Sequence, residues 1–476
     1  MFVPKNGLGC KVGLNNYIVP VQTILKSKIY PMRAFFFPLI LLLPYGAAFS
    51  QNAATTGPHS LAQQEPATPG PPAARIRTGA DQLEQYLPLL QGQSVAIFAN
   101  QTSVVGDSHL VDTLLKAGIR IRKIFSPEHG FRGDADAGAK VGNQTDPRTG
   151  IPVISLYGSK NKPTPEDLAD VDVMLYDIQD VGVRFYTYIA SLQKFLEAAI
   201  ENNRPLIILD RPDPNGFYVD GPVLDTKFKS FVGMQPVPVV YGMTIGEYAR
   251  MLIGEQWLDP ALTNQINTIH AINQSADRID SLLRALRKRP INIRLNDFRL
   301  IVIPCLNYTH KSRYTLPVKP SPNLPNMQSV YLYPALCLFE GTRISLGRGT
   351  PKPFQQFGSP SFPPQTDTFT PVSTPGASNP PLLGQLCNGF DLSRINIAKE
   401  TGGRLTLKWI LKAYSLFPDK THFFNGNGSG FDRLAGTAIL EEQIRQGLSE
   451  DEIRKSWEPA LGNFKKIRKK YLMYAD

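Results

Sequence analysis

The sequence predicts an α/β protein with a Rossmann-like parallel sheet domain and a second, smaller α/β domain. From residue 79 the chain alternates short buried apolar runs with amphipathic helical segments. Strand and helix repeats of this length force parallel pairing with right-handed crossovers. The chain also has 476 residues, too many for a single hydrophobic core, so two domains are expected.

The first fifty residues are typical of a targeting segment. Arg33 precedes an apolar run from Ala34 to Leu43, and small residues follow, which is the order of a secretory signal peptide. Met32 is an alternative start of translation. The run is too short to span a bilayer comfortably. We therefore expect an exported protein, periplasmic or secreted, without stable membrane insertion once the signal is removed.

Residues 51–75 are rich in Pro, Ala, Gln and Thr and have no period, which predicts an unstructured linker. The Rossmann-like domain is predicted to span residues 76–318. Its predicted strands cover 95–101, 121–125, 151–158, 171–180, the start of 205–216, and 298–308. Its predicted helices cover 110–119, 191–203, 246–257 and a polar stretch at 276–289. Thr164 and Pro165 predict a helix start, and Thr244 with Glu247 predicts a capping box.

The smaller domain is predicted to span residues 319–476. It begins with the proline-rich segment KPSPNLPNMQS, which is typical of a connection between domains. Helices are predicted at 404–417 and 434–448, and Ser449 with Glu452 predicts a capping box before a last helix.

Composition excludes several classes of function. The formal net charge is +11, but the first fifty residues hold five basic residues and no acid, which leaves +6 for the rest. That balance does not indicate a nucleic-acid partner. Cys305, Cys337 and Cys387 fit neither a CxxC redox motif nor a zinc cluster, so buried thiols without a catalytic role are expected. No G-x-G-x-x-G turn follows the first predicted strand and no P-loop sequence occurs, so we expect no nicotinamide or nucleotide cofactor. The spacing of the cysteines gives no reason to expect a metal site either.

Glu128 is the first candidate for chemistry. A buried strand ends at Ser126 and Pro127, because proline cannot donate to a ladder, and Glu128, His129 and Gly130 follow at once. Ligands of parallel sheets bind at the carboxyl ends of strands, and a carboxylate is costly to bury without a reason. One histidine beside one glutamate does not make a metal site.

Polar residues at the other strand ends predict a crevice for a polyhydroxylated, N-acylated and anionic ligand, for which a sugar is the natural candidate. Structural roles remain open for several of these residues. Asp177 and Asp210 have the spacing of helix caps, and Arg184 has the spacing of an ion pair with Asp180. The predicted binding residues are Asn100, His129, Arg132, Gln179, Asp180, Arg184, Tyr186, Tyr188, Asp210, Arg211, Asn323, Glu340 and Arg343.

Six motifs, in order and spacing, resemble one family. They are FSPEHGFRG, YDIQDVGVRFYTYI, DRPDPNGFYVDGPVL, PSPNLPN, EGTRISLGRGTPKPF and the ending W-x3-L-x2-F-x6-YLMY. Together they cover about residues 80 to 476 and resemble the NamZ-type exo-β-N-acetylmuramidases. The resemblance implies an exported enzyme that removes single N-acetylmuramic acid residues from the non-reducing end of peptidoglycan fragments. It also implies an active site in the cleft between the two domains, with Glu128 as the proposed catalytic glutamate.

Glycosidic cleavage needs an acid at the leaving oxygen and usually a second group. Our hypothesis makes Glu128 the general acid. Asp177 is the first choice for the second group, ahead of Asp210 and Glu340, and the substrate's own N-acetyl carbonyl is an alternative to all three.

Two further roles concern recognition of the sugar. Arg184 or Arg132 is expected to pair with the lactyl carboxylate of muramic acid, and Tyr186 or Tyr188 to stack on the ring. A glycan-binding protein without turnover would use the same lining and is the alternative function. An ester or amide hydrolase ranks lower, because Ser126 lacks a nucleophile elbow.

Overall fold

The computed structural model describes residues 74–128, 130–132, 142–265 and 298–476. They belong to one compact unit that covers residues 71–476. The predicted signal peptide, nearly all of the predicted linker, His129 and the predicted polar helix at 276–289 lie outside the described residues.

Twelve strands and ten helices are found in these residues. The strands are β1 (Ser94–Ala99), β2 (Val104–Val105), β3 (Ser108–His109), β4 (Arg120–Ser126), β5 (Gln144–Thr145), β6 (Pro152–Ser155), β7 (Val173–Asp177), β8 (Leu206–Leu209), β9 (Leu300–Ile303), β10 (Gln356–Ser359), β11 (Asp367–Phe369) and β12 (Cys387–Asp391). The helices are α1 (Leu83–Leu90), α2 (Leu110–Lys116), α3 (Tyr188–Glu201), α4 (Ile245–Gly254), α5 (Met327–Leu336), α6 (Ile397–Thr401), α7 (Lys408–Leu416), α8 (Ser429–Ala435), α9 (Ile439–Arg445) and α10 (Glu450–Lys469).

The main sheet has seven strands in the order β5-β6-β4-β1-β7-β8-β9. Every neighbouring pair is parallel except β5 with β6. Without the short antiparallel β5, the order is that of a doubly wound Rossmann sheet, with the reversal of strand order between β1 and β7. The predicted α/β fold is confirmed, and the carboxyl ends of the parallel strands lie at one edge.

The two faces of this sheet belong to different cores. Val95 and Ile97 of β1 pack in the cluster that holds α1 and α2. The alternate residues Ala96 and Phe98 pack in a larger cluster that contains α3, α4 and residues as distant as Phe464 of α10. The part of the chain that forms the main sheet (the sheet part) and the part from α5 onwards (the carboxyl-terminal part) therefore share one continuous core, because the same apolar cluster contains residues of both.

The carboxyl-terminal part contains helices α5 to α10 and an antiparallel sheet in the order β10-β12-β11. The predicted capping box of Ser449 and Glu452 is present and starts α10, and that of Thr244 and Glu247 starts α4. The predicted single helix at 434–448 is wrong. Gly436 has a φ of 77° and ends α8, and a new helix begins at Ile439, because a left-handed residue cannot continue an α-helix.

Two other predictions concern local features. The sequence from Thr164 starts only one turn of 3₁₀-helix, Glu166–Leu168, and no α-helix. Cys305, Cys337 and Cys387 are buried free thiols, as expected. Within the ranges described above, no helix is long and apolar enough to cross a membrane.

The last residues of the chain are bound to the edge of the main sheet. The Tyr474 hydroxyl donates to Asp210 Oδ2 at 2.6 Å, and the backbone N–H of Met473 donates to Glu247 Oε1 at 2.8 Å. Asp210 also accepts from the Thr244 hydroxyl at 2.7 Å. These bonds fix the start of α4 and the chain's carboxyl-terminal residues to the end of β8.

Two buried carboxylates, Asp180 and Asp213, meet at Gly182. The Gly182 N–H donates to Asp180 Oδ2 at 2.7 Å, and a Cβ at Gly182 would lie 2.1 Å from Asp213 Oδ1. The Tyr241 hydroxyl also donates to Asp180. Burial raises the pKa of Asp180 to about 7 and the pKa of Asp213 well above its usual range, because a charged carboxylate loses its hydration there.

The raised pKa of Asp180 predicts a pH dependence of stability. Between about pH 4 and pH 7 the folded protein keeps a proton that the unfolded chain has lost, so stability falls as pH rises through this window. Each pKa unit corresponds to about 1.4 kcal/mol. Asp180→Asn keeps an acceptor oxygen without the charge, and we expect it to raise the melting temperature at pH 8 by roughly a few degrees.

The comparison is made by thermal unfolding at pH 4 and pH 8, with exposed Asp107→Asn as the matched control. At pH 4 the Asp180→Asn variant should melt close to the wild type, because the wild-type carboxyl is then protonated. An equal change at both pH values would show that the carboxylate charge is not the cause.

Candidate active site

A cleft of about 730 Å³ opens between the sheet part and the carboxyl-terminal part. Its lining comes from both, which agrees with the expected position of the site. Seven lining residues precede position 320: Glu128, Tyr157, Phe185, Tyr186, Thr187, Tyr188 and Val232. The rest follow it, including Ser321, Leu324, Tyr333, Phe339, Glu340, Arg343, Arg348, Phe354, the segment 376–382 and Asn425.

Glu128 reaches this cleft because β4 ends beside β6. Ser126 pairs with Ser155 in the parallel ladder, and two residues further along each strand come Glu128 and Tyr157. The Tyr157 hydroxyl donates to Glu128 Oε1 at 3.0 Å. Burial, together with the negative charge of Glu128, raises the pKa of Tyr157, so the phenol stays protonated and acts as the donor.

Aromatic side chains form one wall of the cleft. Tyr186 and Tyr188 contact each other edge to face, with ring centroids 4.7 Å apart, and Tyr186 also meets Tyr333 at 5.7 Å. The Tyr186 hydroxyl donates to the Pro320 carbonyl at 2.8 Å. Tyr188 accepts from Asn100 Nδ2 at 2.8 Å, so Asn100 acts here through the tyrosine. Such rings can contact the apolar face of a sugar.

A second carboxylate of the cleft is Glu340, in the 3₁₀ turn Cys337–Gly341 that follows α5. Arg348 donates to Glu340 Oε1 from Nε at 2.9 Å and from Nη2 at 2.5 Å. The guanidinium also lies over the Phe354 ring, 4.9 Å from its centroid. Burial alone would lower the pKa of Arg348, but the charge of the Glu340 carboxylate raises the pKa by more, so the net pKa lies above its usual value. Arg348 and Glu340 therefore form a fixed ion pair in the wall of the cleft.

Arg343 is an exposed cation on the same lining. Its backbone N–H donates to the Phe423 carbonyl at 2.9 Å, which anchors the chain at this point. Within the described part of the protein, its guanidinium has no hydrogen bond or ion pair. This side chain can therefore bind an anionic group of a ligand without first breaking an internal contact.

The carboxylates at the central strand ends lie elsewhere. Asp177 is fully buried and forms a bidentate ion pair with Arg211, whose Nε and Nη2 lie 2.6 and 2.8 Å from the two oxygens. Asp210 caps α4 and binds Tyr474, and burial raises its pKa to about 6. Asp177, Asp210 and Arg211 are absent from the cleft lining, because their polar atoms hold the protein together.

The remaining predicted binding residues also make internal contacts. Arg184 is fully buried and donates to the carbonyls of residues 222, 237 and 434, and burial lowers its pKa to about 9. Arg132 pairs with Asp146 at 2.8 Å. Gln179 donates to the carbonyls of residues 180 and 212, and Asn323 donates to that of residue 376 at 2.8 Å. The structure does not bring these side chains to the cleft.

Sequence reasoning missed several lining residues. The sequence patterns assigned no role to Tyr157 or to Arg348, and both line the cleft. Tyr333 and Phe354 were not identified, since α5 was not predicted and Phe354 lies in a loop. The spacing of Tyr157 two residues beyond β6, parallel to Glu128 beyond β4, is the one feature that could have identified it.

No group of three or more His, Cys, Asp or Glu side chains in the described ranges is arranged to hold a metal ion. The crevice at the strand-order reversal, where a Rossmann domain binds a nucleotide, contains buried side chains. The Ser103 hydroxyl donates there to the Asp177 carbonyl, and Thr102 accepts from the Gln179 N–H at 3.0 Å.

Known proteins resemble this chain over most of its length. Residues 95–328 match the family described as exo-beta-N-acetylmuramidase NamZ, N-terminal, and residues 331–474 match its C-terminal counterpart. The peptidoglycan beta-N-acetylmuramidase NamZ of Bacillus subtilis (strain 168) is 38% identical over 416 residues, which is 84% of this chain and 92% of that protein.

Two crystal structures of DUF1343 family proteins from Bacteroides fragilis NCTC 9343 have a similar fold. One is 41% identical with a TM-score of 0.72, and the match covers 85% of this chain and 100% of the other. The second is 28% identical with a TM-score of 0.65, and covers 84% and 99%. Since both parts of the sequence match and the identity extends along almost all of the Bacillus protein, the chain belongs to the exo-β-N-acetylmuramidase NamZ family.

Proposed function

We propose that this protein is an exo-acting glycosidase that releases N-acetylmuramic acid from the non-reducing end of peptidoglycan fragments. The observation that carries the proposal is that two carboxylates, Glu128 and Glu340, line one cleft together with a cation, Arg343, whose guanidinium has no hydrogen bond or ion pair among the residues the structure describes. The name of the Bacillus relative supports the same substrate class. A sugar that bears a carboxylate would use all three groups.

Glu128 acts as the general acid in this proposal. It lies on the cleft just beyond the end of β4, and the Tyr157 hydroxyl donates a hydrogen bond to its Oε1. During cleavage the Glu128 proton moves to the glycosidic oxygen, and the bonding pair of the breaking C1–O bond stays on that oxygen. The leaving sugar departs as an alcohol, and Glu128 is left as a carboxylate.

Glu340 fits the second role better than the other candidates. Asp177, the first choice from sequence, is committed to Arg211, and Asp210 is committed to the start of α4. Glu340 lies on the cleft and is held by Arg348 through Oε1 only, so Oε2 has no bond to that arginine. A carboxylate held in an ion pair is suited to act as a nucleophile or as the base for a water.

Arg343 is proposed to read the lactyl carboxylate that distinguishes muramic acid from glucosamine. Arg184 and Arg132 were the candidates from sequence, but the first donates to three backbone carbonyls and the second to Asp146. Arg343 alone among these three lies on the cleft lining. A guanidinium can bind a carboxylate through two parallel hydrogen bonds, which favours the muramic sugar.

We also propose that the protein is exported to the periplasm or secreted. The support is the sequence pattern of residues 33–50 and the extracytoplasmic position of peptidoglycan, the proposed substrate.

The acid role of Glu128 is tested with Glu128→Gln on a disaccharide of N-acetylmuramic acid linked β to N-acetylglucosamine. We expect kcat to fall at least about a hundredfold, because a sugar alcohol is a poor leaving group without a proton. Released sugar is measured by chromatography. The control is Glu458→Gln, an exposed glutamate of α10. An inert wild type that still binds the disaccharide would favour a glycan-binding protein instead.

The second role is tested with Glu340→Gln. We expect a loss of about a hundredfold or more in kcat on both the disaccharide and a 4-nitrophenyl glycoside of N-acetylmuramic acid, because a nucleophile or base is needed whatever group leaves. Unchanged activity would assign the second role to the N-acetyl carbonyl of the substrate. The Glu458→Gln variant serves again as the control.

Sugar recognition is tested with Arg343→Gln. Loss of a charge-assisted bond should raise KM for the muramic glycoside by about ten- to a hundredfold, with little effect on the slow cleavage of the matching N-acetylglucosamine glycoside. Exposed Arg404→Gln is the matched control. If the ratio of kcat/KM for the two glycosides does not change, Arg343 does not bind the lactyl group.

A further inference from the structure

We propose that a second cavity, whose lining includes Arg75, Asp81 and Arg211, binds an α-amino acid group, that is, a carboxylate and an ammonium on the same carbon. The cavity has a volume of about 270 Å³ and lies just beyond the end of β8. It shares no lining residue with the cleft that contains Glu128. The inference therefore does not depend on the function proposed above.

Segments that are distant in the sequence form this second cavity. They are the residues before α1, the turn after β1, the residue that follows β8 and the loop before the proline-rich connection. Ligands of parallel sheets bind at the carboxyl ends of strands, and β1 and β8 both lead into this cavity. Its volume is below the usual range for drug-sized ligands, which favours a single small group. The ten lining residues are Arg75, Ile76, Thr78, Asp81, Val104, Gly106, Arg211, Tyr314, Thr315 and Pro317.

Arg211 provides a buried cation with one nitrogen available to a ligand. Its Nε and Nη2 donate to the Asp177 carboxylate, and Nη2 also donates to the Val104 carbonyl at 3.0 Å. Nη1 makes no hydrogen bond with any residue that the structure describes, although the side chain is only 2% exposed. A ligand oxygen would give this nitrogen an acceptor that the described residues do not supply.

Arg75 and Tyr314 add further donors. Arg75 is exposed, and within residues 74–128, 130–132, 142–265 and 298–476 its guanidinium has no hydrogen bond or ion pair. Burial raises the pKa of Tyr314, so its phenol keeps its hydrogen and can donate. Because guanidinium groups only donate, Arg75 and Arg211 together suit the carboxylate of a ligand.

Asp81 supplies the opposite charge. Its Oδ2 accepts from the backbone N–H and from the hydroxyl of Thr78, both at 2.9 Å. Its Oδ1 accepts no hydrogen bond from the described part of the chain. A simple anion in this cavity would be repelled by the Asp81 carboxylate, whereas an ammonium would bind it. A ligand that carries both charges close together therefore fits the lining better than a carboxylate alone.

The charges of the ligand are tested on the wild-type protein by equilibrium dialysis with radiolabelled alanine. Propionate and ethylamine, which each keep one of the two charges, are the competitors. We expect alanine to bind saturably at one site, and each competitor to bind at least about tenfold more weakly, because it loses a charge-assisted bond. Absence of saturable binding, or equal affinity for alanine and propionate, would overturn the proposal.

A third competitor identifies the source of the group. Nε-acetyl-lysine carries the same α-amino acid group at the end of a chain that is closed by an amide. Tighter binding than alanine would support a group borne on a peptide, and weaker binding would support a free amino acid. Either result requires the same contacts with the second cavity.

Two variants test those contacts. Arg75→Gln and Asp81→Asn should each weaken alanine binding at least about tenfold. Arg75 has no side-chain contact with the described residues to lose, and an asparagine at position 81 keeps an acceptor for Thr78. The matched controls are the exposed residues changed in Arg404→Gln and Asp107→Asn, which should bind alanine as the wild type does.

A last variant separates the second cavity from the cleft. Arg343→Gln removes the cation of the cleft and should leave alanine binding unchanged, so a loss of binding there would place alanine in the cleft and contradict the proposal. Wild-type affinity in both Arg75→Gln and Asp81→Asn would contradict it as well. Melting temperatures identify a variant that is unfolded, and in that case the comparison of alanine with propionate, which needs only the wild type, decides.

Discussion

The position of the cleft depends on one buried cation, Arg184. Its guanidinium is removed from water and donates to carbonyls at residues 222, 237 and 434, at 2.9, 2.8 and 2.7 Å. Leu434 is near the end of α8, where unpaired carbonyls favour a positive charge. Gly436 makes room, since a Cβ there would lie 2.7 Å from Arg184 Nη2. A charge so placed is costly to leave unpaired, which makes this junction of the two parts specific.

The aromatic wall of the cleft follows directly from that junction. Phe185, Tyr186 and Tyr188 come immediately after Arg184 in the chain, and they line the cleft because the arginine is turned into the protein. Strand ends of a Rossmann sheet normally bind the ligand at the reversal of strand order. In this protein the Asp177–Arg211 pair occupies that region, and the cleft lies towards β4 and β6, where the second part of the chain lines it as well.

The sequence was sufficient for the six parallel strands of the main sheet, two capping boxes and the place of Glu128 just beyond β4, because apolar runs, caps and a proline stop are local patterns. It did not predict the short strands β2, β3 and β5 or the antiparallel strands β10 to β12. It was insufficient at 434–448, where one long helix was predicted. The break between α8 and α9 depends on whether Gly436 adopts a left-handed conformation. The sequence also could not separate Asp177 from Glu340. Both are polar residues in motifs, and only the fold decides that one meets Arg211 and the other Arg348 on the cleft.

The attachment of the last residues has a consequence for how the protein folds. Tyr474 and Asp210 are 264 positions apart, and their bond closes the end of β8 together with the start of α4. Contacts of such long sequence separation form late and slow folding. While a ribosome is still making the carboxyl-terminal helix, Asp210 and Glu247 lack the hydrogen bonds from Tyr474 and Met473. The edge of the sheet at the end of β8 is therefore completed only after α10 and the residues that follow it have been made.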